Sequence, residues 1–169
     1  MIVRLSGLLP GHPVSWWMTA LACGYFVLVA VRLSVIDIRT HLLPNRIIFP
    51  ACAAAGPVLV LACLLSGDAA AAARTVLAAV ALWCFYLGLR LLHPAGMGMG
   101  DVKLALLLGL DLGFLGWSQV LYGTVAAFLL GGVWGVALIV TRRGNGRTQI
   151  PFGPFMLGGA LASMLLVSG

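Results

Sequence analysis

The chain alternates long apolar runs with short polar breaks. The runs cover about 14–36, 47–65, 69–92, 101–115, 117–140 and 152–167. Most of them approach the roughly 20 residues that carry a helix across a bilayer core. A membrane barrel would instead need alternating strands of about ten residues, and the chain has none of that pattern. The periodicity therefore predicts an all-α protein, a polytopic transmembrane bundle of about six helices. Pro50 and Pro57 fall inside the second run and predict a bend there. The fourth run is the shortest and carries Asp111, which reads as an acid near the outer interface. No long linker interrupts the series, so a single transmembrane domain over 1–169 is expected, with no separate soluble domain. The N-terminus does not read as a signal peptide. Gly7, Pro10, Gly11 and Pro13 break up the region after Arg4, and the apolar run that follows is too long for a signal core.

Composition closes off the soluble alternative. Hydrophobic residues make up 62% of the 169 and charged residues only 8%, against about 25% charged in an ordinary soluble domain. The net charge is +6, but the basic residues fall in the breaks between runs, where membrane topology puts them. They argue for orientation and against nucleic acid. Arg32, Arg39 and Arg46 flank the first break, Arg90 and Lys103 the third, and Arg142, Arg143 and Arg147 fill the fifth. The breaks near Gly67 and Gly116 have no Lys or Arg. By the positive-inside rule the basic breaks are cytoplasmic and both termini face outward, with Arg4 a mild contrary vote. Arg74 and Arg90 sit at the ends of the third run, where long side chains snorkel to the interface. Gly131, Gly132, Gly135, Gly158 and Gly159 suit close helix packing. Cys23, Cys52, Cys63 and Cys84 all lie in apolar runs without CxxC spacing, so they read as small hydrophobes.

All four acidic residues are aspartates. Six runs with basic odd-numbered breaks put Asp37 and Asp101 at one face and Asp68 and Asp111 at the other. Asp68, before the alanine-rich "AAAAAR", reads as a helix N-cap. Asp101 has two readings, an N-cap of the fourth helix or a functional acid. Asp37 likewise reads as a solvated residue beside Arg39 or as a functional acid. The neighbourhoods favour function. Asp101 follows Gly98 and Gly100, where backbone approaches closely, and Asp37 opens a polar turn closed by Pro44 and Asn45. Two carboxyls a few ångströms apart cannot both ionise cheaply, so they share a proton. The ionised member can deprotonate water, and the protonated one can polarise a peptide carbonyl and later protonate the amine that leaves. The titration belongs to the pair.

At these residues the chain resembles the type IV prepilin peptidases, a family of GxGD membrane aspartic proteases. "GMGMGDVKL" (96–104) resembles the GxGD motif, "DIRTHLLPN" (37–45) the first aspartate motif, and "IPFGPFMLGGA" (150–160) the C-terminal signature. The resemblance implies that Asp37 and Asp101 are the catalytic pair and that Gly98 and Gly100 shape the second motif. It implies an endopeptidase that removes the leader of prepilin or pseudopilin precursors at the cytoplasmic face of the bacterial inner membrane. Family members typically cut just after a glycine, and the substrate's own transmembrane helix stays in the bilayer. Lys103, Pro44 and Asn45 become candidates for shaping the motifs or adjoining the substrate. Arg39 and His41 read as loop residues. No cofactor and no metal are implied, since His12, His41 and His93 are scattered without ligand spacing. Larger members carry an insertion, often with paired CxxC motifs, and also methylate the new N-terminus. Without CxxC, this chain resembles the short, peptidase-only form. Pro151, Phe152, Gly153 and Pro154 read as the entry to the last helix, bordering the site. Two rival classes predict different behaviour. A small ion-coupled transporter would use the same aspartates, together with a mid-membrane acid, inverted repeats and a polar path. A membrane scaffold would use them only as helix caps. Oligomeric state is not legible here.

Overall fold

The structure, a computed structural model, describes residues 13–94, 96–141 and 151–166. Arg4 and the basic residues Arg142, Arg143 and Arg147 lie outside the described residues. Six helices follow in chain order: α1 (Pro13–Thr40), α2 (Asn45–Leu65), α3 (Ala69–Leu92), α4 (Met99–Leu115), α5 (Trp117–Val140) and α6 (Gly153–Leu166). Among the described residues there is no strand. The all-α bundle predicted from the apolar runs is the fold observed, and each run falls on one helix.

Four helices, α1, α2, α3 and α5, are long and apolar enough to cross a membrane. Their outer faces carry large apolar side chains in the open, such as Leu28 on α1 and Val133 on α5, 71% and 70% exposed. Water would penalise such faces, whereas lipid accepts them. The other two helices are shorter, 17 residues in α4 and 14 in α6. Every α4 residue from Leu107 to Leu115 is buried. A helix apolar all round belongs inside a bundle, and α4 is the central helix here. It packs against α3, α2, α5 and α6, while α1 packs on α2 and α6.

Small residues let the helices come this close. A Cβ on Gly109 would stand 2.4 Å from Ala79 Cα, and one on Gly113 would stand 2.5 Å from Ala78 Cβ. Between α5 and α6, a Cβ on Gly159 would lie 2.6 Å from the carbonyl oxygen of Gly123. Gly159 and Gly131 therefore play the packing role read from the sequence. Gly132 does not, because nothing lies within 4 Å of its Cβ position.

Local signals set the helix ends. Asp68 caps α3 as expected, its Oδ1 accepting the N–H of Ala71 at 2.9 Å. α1 runs past the end of its apolar stretch to Thr40, whose hydroxyl donates to the Ile36 carbonyl at 2.8 Å. His41 then takes φ 51°, the left-handed turn that stops the helix, and its N–H donates to the Asp37 carbonyl at 2.8 Å. Pro44, extended at φ −72°, starts α2, which continues unbroken through Pro50 and Pro57. Arg74 does not snorkel outward as its position suggested. Its Nε donates to the Gly113 carbonyl at 2.8 Å and its guanidinium also reaches the Phe114 carbonyl. The last turn of a helix leaves carbonyls without partners, and α4 ends inside protein, so a neighbouring arginine supplies its donors.

Candidate active site

The site lies where α1 ends and α4 and α6 begin. Asp37 stands three residues before the end of α1 and is 4% exposed. This overturns the reading of Asp37 as a solvated residue. Its Oδ2 accepts the backbone N–H of Gly153, at the first position of α6, at 3.1 Å. Free N–H groups at a helix start favour a carboxylate. Asp101 sits in the first turn of α4, 7% exposed. The N-cap of α4 is Gly98, not Asp101. Asp101 instead reaches back, its Oδ2 accepting the Gly98 N–H at 3.2 Å, the acidic arm of a capping-box arrangement. The two carboxyls are close enough for the charge of Asp37 to act on Asp101.

Glycines clear the space around both acids. A Cβ on Gly98 would lie 3.2 Å from Asp101 Oδ2, and one on Gly153 would lie 2.6 Å from Asp37 Oδ2. A Cβ on Gly100 would lie 2.7 Å from the Cβ of Leu43. Side chains at these positions would push the acids or the α1–α2 turn aside. Lys103 and Asn45 also come together, Nζ donating to Oδ1 at 2.8 Å. The same ammonium lies 5.7 Å from the centre of the Phe49 ring, within cation–π reach. This pair ties the start of α2 to the first turn of α4. Pro44 lends its carbonyl to the N–H groups of Ile47 and Ile48, and Arg39 is exposed.

Four neighbours were not singled out for this work in the sequence. Gly153 was read as part of a helix entry bordering the site, and it holds Asp37 directly. Arg90 was read as an interfacial anchor. Its guanidinium also donates to the carbonyls of Pro94 and Met97 and so shapes the approach to Gly98. Tyr86, 2% exposed, feels the charge of Asp101 and stacks on Phe128 with ring centres 5.8 Å apart. Phe128 in turn meets Phe152 at 5.2 Å, next to Gly153. Leu43 fills the ground between Gly100 and Gly153. A single aromatic or leucine in an apolar chain carries no local signal that could have marked it. Among the described residues, no three His, Cys, Asp or Glu side chains are grouped as metal ligands would be.

Asp111 contradicts its expected place near a solvated interface. It is 5% exposed and its Oδ2 has no hydrogen-bond partner. Its charge acts on Cys23 of α1 and Cys52 of α2. Its helix is short because it is central, not because it is peripheral.

Two buried carboxyls thus lie at helix ends at one end of the bundle, each accepting the backbone N–H of a glycine. The chain belongs to the type IV leader peptidase family, whose model matches residues 23–136. The prepilin leader peptidase/N-methyltransferase of Aeromonas salmonicida is 33% identical over 133 residues, covering 76% of this chain and 43% of its own. The protein of that name from Burkholderia pseudomallei is 32% identical over 152 residues, covering 86% and 46%. The one from Bacillus subtilis is 29% identical over 143 residues, covering 83% and 53%. The chain thus spans about half the length of these relatives. No solved structure matches it.

Proposed function

We propose that the chain is a membrane-embedded aspartic endopeptidase that removes the leader from prepilin-like precursors, with Asp37 and Asp101 as its catalytic pair. The observation that carries this reading is that both acids are buried at one end of the bundle, with the charge of Asp37 acting on Asp101, in a chain of the leader peptidase family. One carboxyl, ionised, takes a proton from water. The other, protonated, polarises the scissile carbonyl and then gives its proton to the departing amine. Backbone N–H groups from Gly98 and Gly153 hold one oxygen of each acid, leaving the other oxygens for water and substrate. This is preorganisation by helix starts, which need no rearrangement as charge develops.

The substrate in this reading is a prepilin or pseudopilin whose transmembrane helix remains in the bilayer. The site faces the cytoplasm, by the distribution of Lys and Arg in the polar breaks, and the membrane is the bacterial inner membrane. The residues form one transmembrane peptidase domain. Methyl transfer, part of the relatives' name, is not proposed for this chain. An ion-coupled transporter is the second reading, and the buried, unpartnered Asp111 favours it, since intramembrane acids mark ion and proton paths.

The deciding test is co-expression with a prepilin from the same genome, following loss of the leader on a gel. Parent cleavage, with none by Asp37→Asn or Asp101→Asn at equal membrane levels, supports the peptidase and its pair. Cleavage that survives both substitutions removes the aspartates from the reaction.

A further inference from the structure

We propose that Leu43 is the specificity-determining residue of this site, limiting the size of the substrate residue that bears the scissile carbonyl. This rests on the peptidase reading above and adds to it a residue outside the acid pair. A carbonyl attacked here by water has to come within hydrogen-bond reach of the protonated carboxyl, about 2.6–3.2 Å, while the ionised one holds the water. The side chain next to that carbonyl must therefore lie against whatever surrounds the acids. Gly98, Gly100 and Gly153 surround them and offer no side chain. Leu43 does.

The contacts locate it closely. Leu43 Cβ stands 2.7 Å, Cδ1 3.2 Å and Cγ 3.3 Å from the Cβ position of Gly100, the residue before Asp101. Its Cδ1 also stands 3.4 Å from the Cβ position of Gly153, whose N–H holds Asp37. One isobutyl group thus spans from the backbone beside one acid to the backbone beside the other. It takes up room that the glycines leave free.

The turn that carries Leu43 is held at both ends. On one side the His41 N–H bonds the Asp37 carbonyl at 2.8 Å, and on the other Asn45 is bonded by Lys103 at 2.8 Å. His41 and Leu42 between them are exposed. A fixed turn presenting one apolar side chain at the acids makes a wall of set height. A small substrate residue fits beneath such a wall and a branched one meets Leu43. One methylene in an apolar pocket is worth roughly 10–200-fold in selectivity, so shortening Leu43 has a readable effect.

The test uses the full-length chain in membranes with three prepilin versions, carrying glycine, alanine or valine immediately before the cut. Processing rates are compared as ratios within each membrane preparation, so that a change in protein level cancels. The parent is expected to process the valine version poorly. Leu43→Ala should raise the valine-to-glycine ratio about tenfold or more, and Leu43→Phe should lower the alanine-to-glycine ratio. Leu42→Ala, on the exposed neighbour, should keep the parent's ratios. Leu43→Val serves as a milder step in case the alanine variant does not accumulate. Ratios equal to the parent's in every Leu43 variant overturn the proposal. So does loss of all cleavage in Leu43→Ala and Leu43→Val alike, which would make Leu43 a structural support. Absence of cleavage by the parent itself fells the peptidase reading, and this inference with it, and shows in the parent lane alone.

Discussion

The backbone N–H of Gly153 donates to Asp37 Oδ2 at 3.1 Å, joining residues 116 positions apart in the chain. The start of α6 thereby fixes the acid at the end of α1, and the fit leaves no room for error. A Cβ at position 153 would stand 2.6 Å from that same oxygen, closer than any ordinary contact, so alanine there must displace the carboxyl or the helix start. A shift of about 1 Å in a reacting group costs on the order of a hundredfold in rate. Gly153→Ala is expected to accumulate in the membrane and to lose cleavage by about that factor. Normal cleavage by this variant would show that the Gly153 contact does not position the acid.

Sharing of one proton predicts a bell-shaped pH profile for cleavage. At low pH both carboxyls are protonated and the base is lost. At high pH both are ionised and the acid is lost. In the peptidase reading the two limbs belong to the pair as a unit, because the charge of Asp37 acts on Asp101. Cleavage by purified protein in detergent, followed across the pH range, should fall on both sides of one maximum. A profile rising to a plateau would mean that a single ionisation governs the reaction.

The fold was legible because lipid imposes a strong and simple pattern. Each apolar run became a helix, and Asp68 capped α3 as its alanine-rich sequel announced. That Asp37 and Asp101 share one end of the bundle was legible from the alternation of basic breaks, which puts the end of α1 and the start of α4 at one face. The partners of those acids were not legible. Gly98 was singled out beside Asp101 and Gly153 was placed at the site's border, but their donation to the acids was not foreseen, because every residue but proline carries a backbone N–H. Arg74 was misread because a long side chain at a helix end snorkels or turns inward depending on what stands beside it. The carbonyl of Gly113 stood there. Asp111 is buried rather than solvated because its short helix lies at the centre of the bundle, which the order of runs along the chain does not reveal.

The Lys103 ammonium and Asn45 carbonyl, 2.8 Å apart, make a bond in an exposed place. Its contribution to stability should be small, under about 1 kcal/mol. Its effect on cleavage should be larger, since it pins the turn bearing Leu43 to the helix bearing Asp101. Lys103→Met and Asn45→Ala are each expected to slow cleavage several-fold with little change in melting temperature. The double variant should be no slower than the worse single one, because both remove the same bond. Additive losses would give the two residues separate roles.

Asp111 has a buried Oδ2 without a partner, one of two such side-chain atoms among the described residues, the other being Trp16 Nε1. Leaving such a group unsatisfied costs about 1–3 kcal/mol. In the peptidase reading this acid takes no part in the reaction. Asp111→Val, the apolar change nearest in size, should then raise the melting temperature in detergent and leave cleavage as it was. Asp111→Asn keeps a polar group in the same place and should gain little. The transporter reading predicts otherwise. There the acid is retained for its charge, and both substitutions should abolish ion-dependent transport in vesicles whatever they do to stability. Measuring melting, cleavage and ion uptake on the same two variants sets the readings against each other. A stable Asp111→Val protein that cleaves normally would leave the buried acid outside the peptidase chemistry, and loss of cleavage in either variant would bring it in.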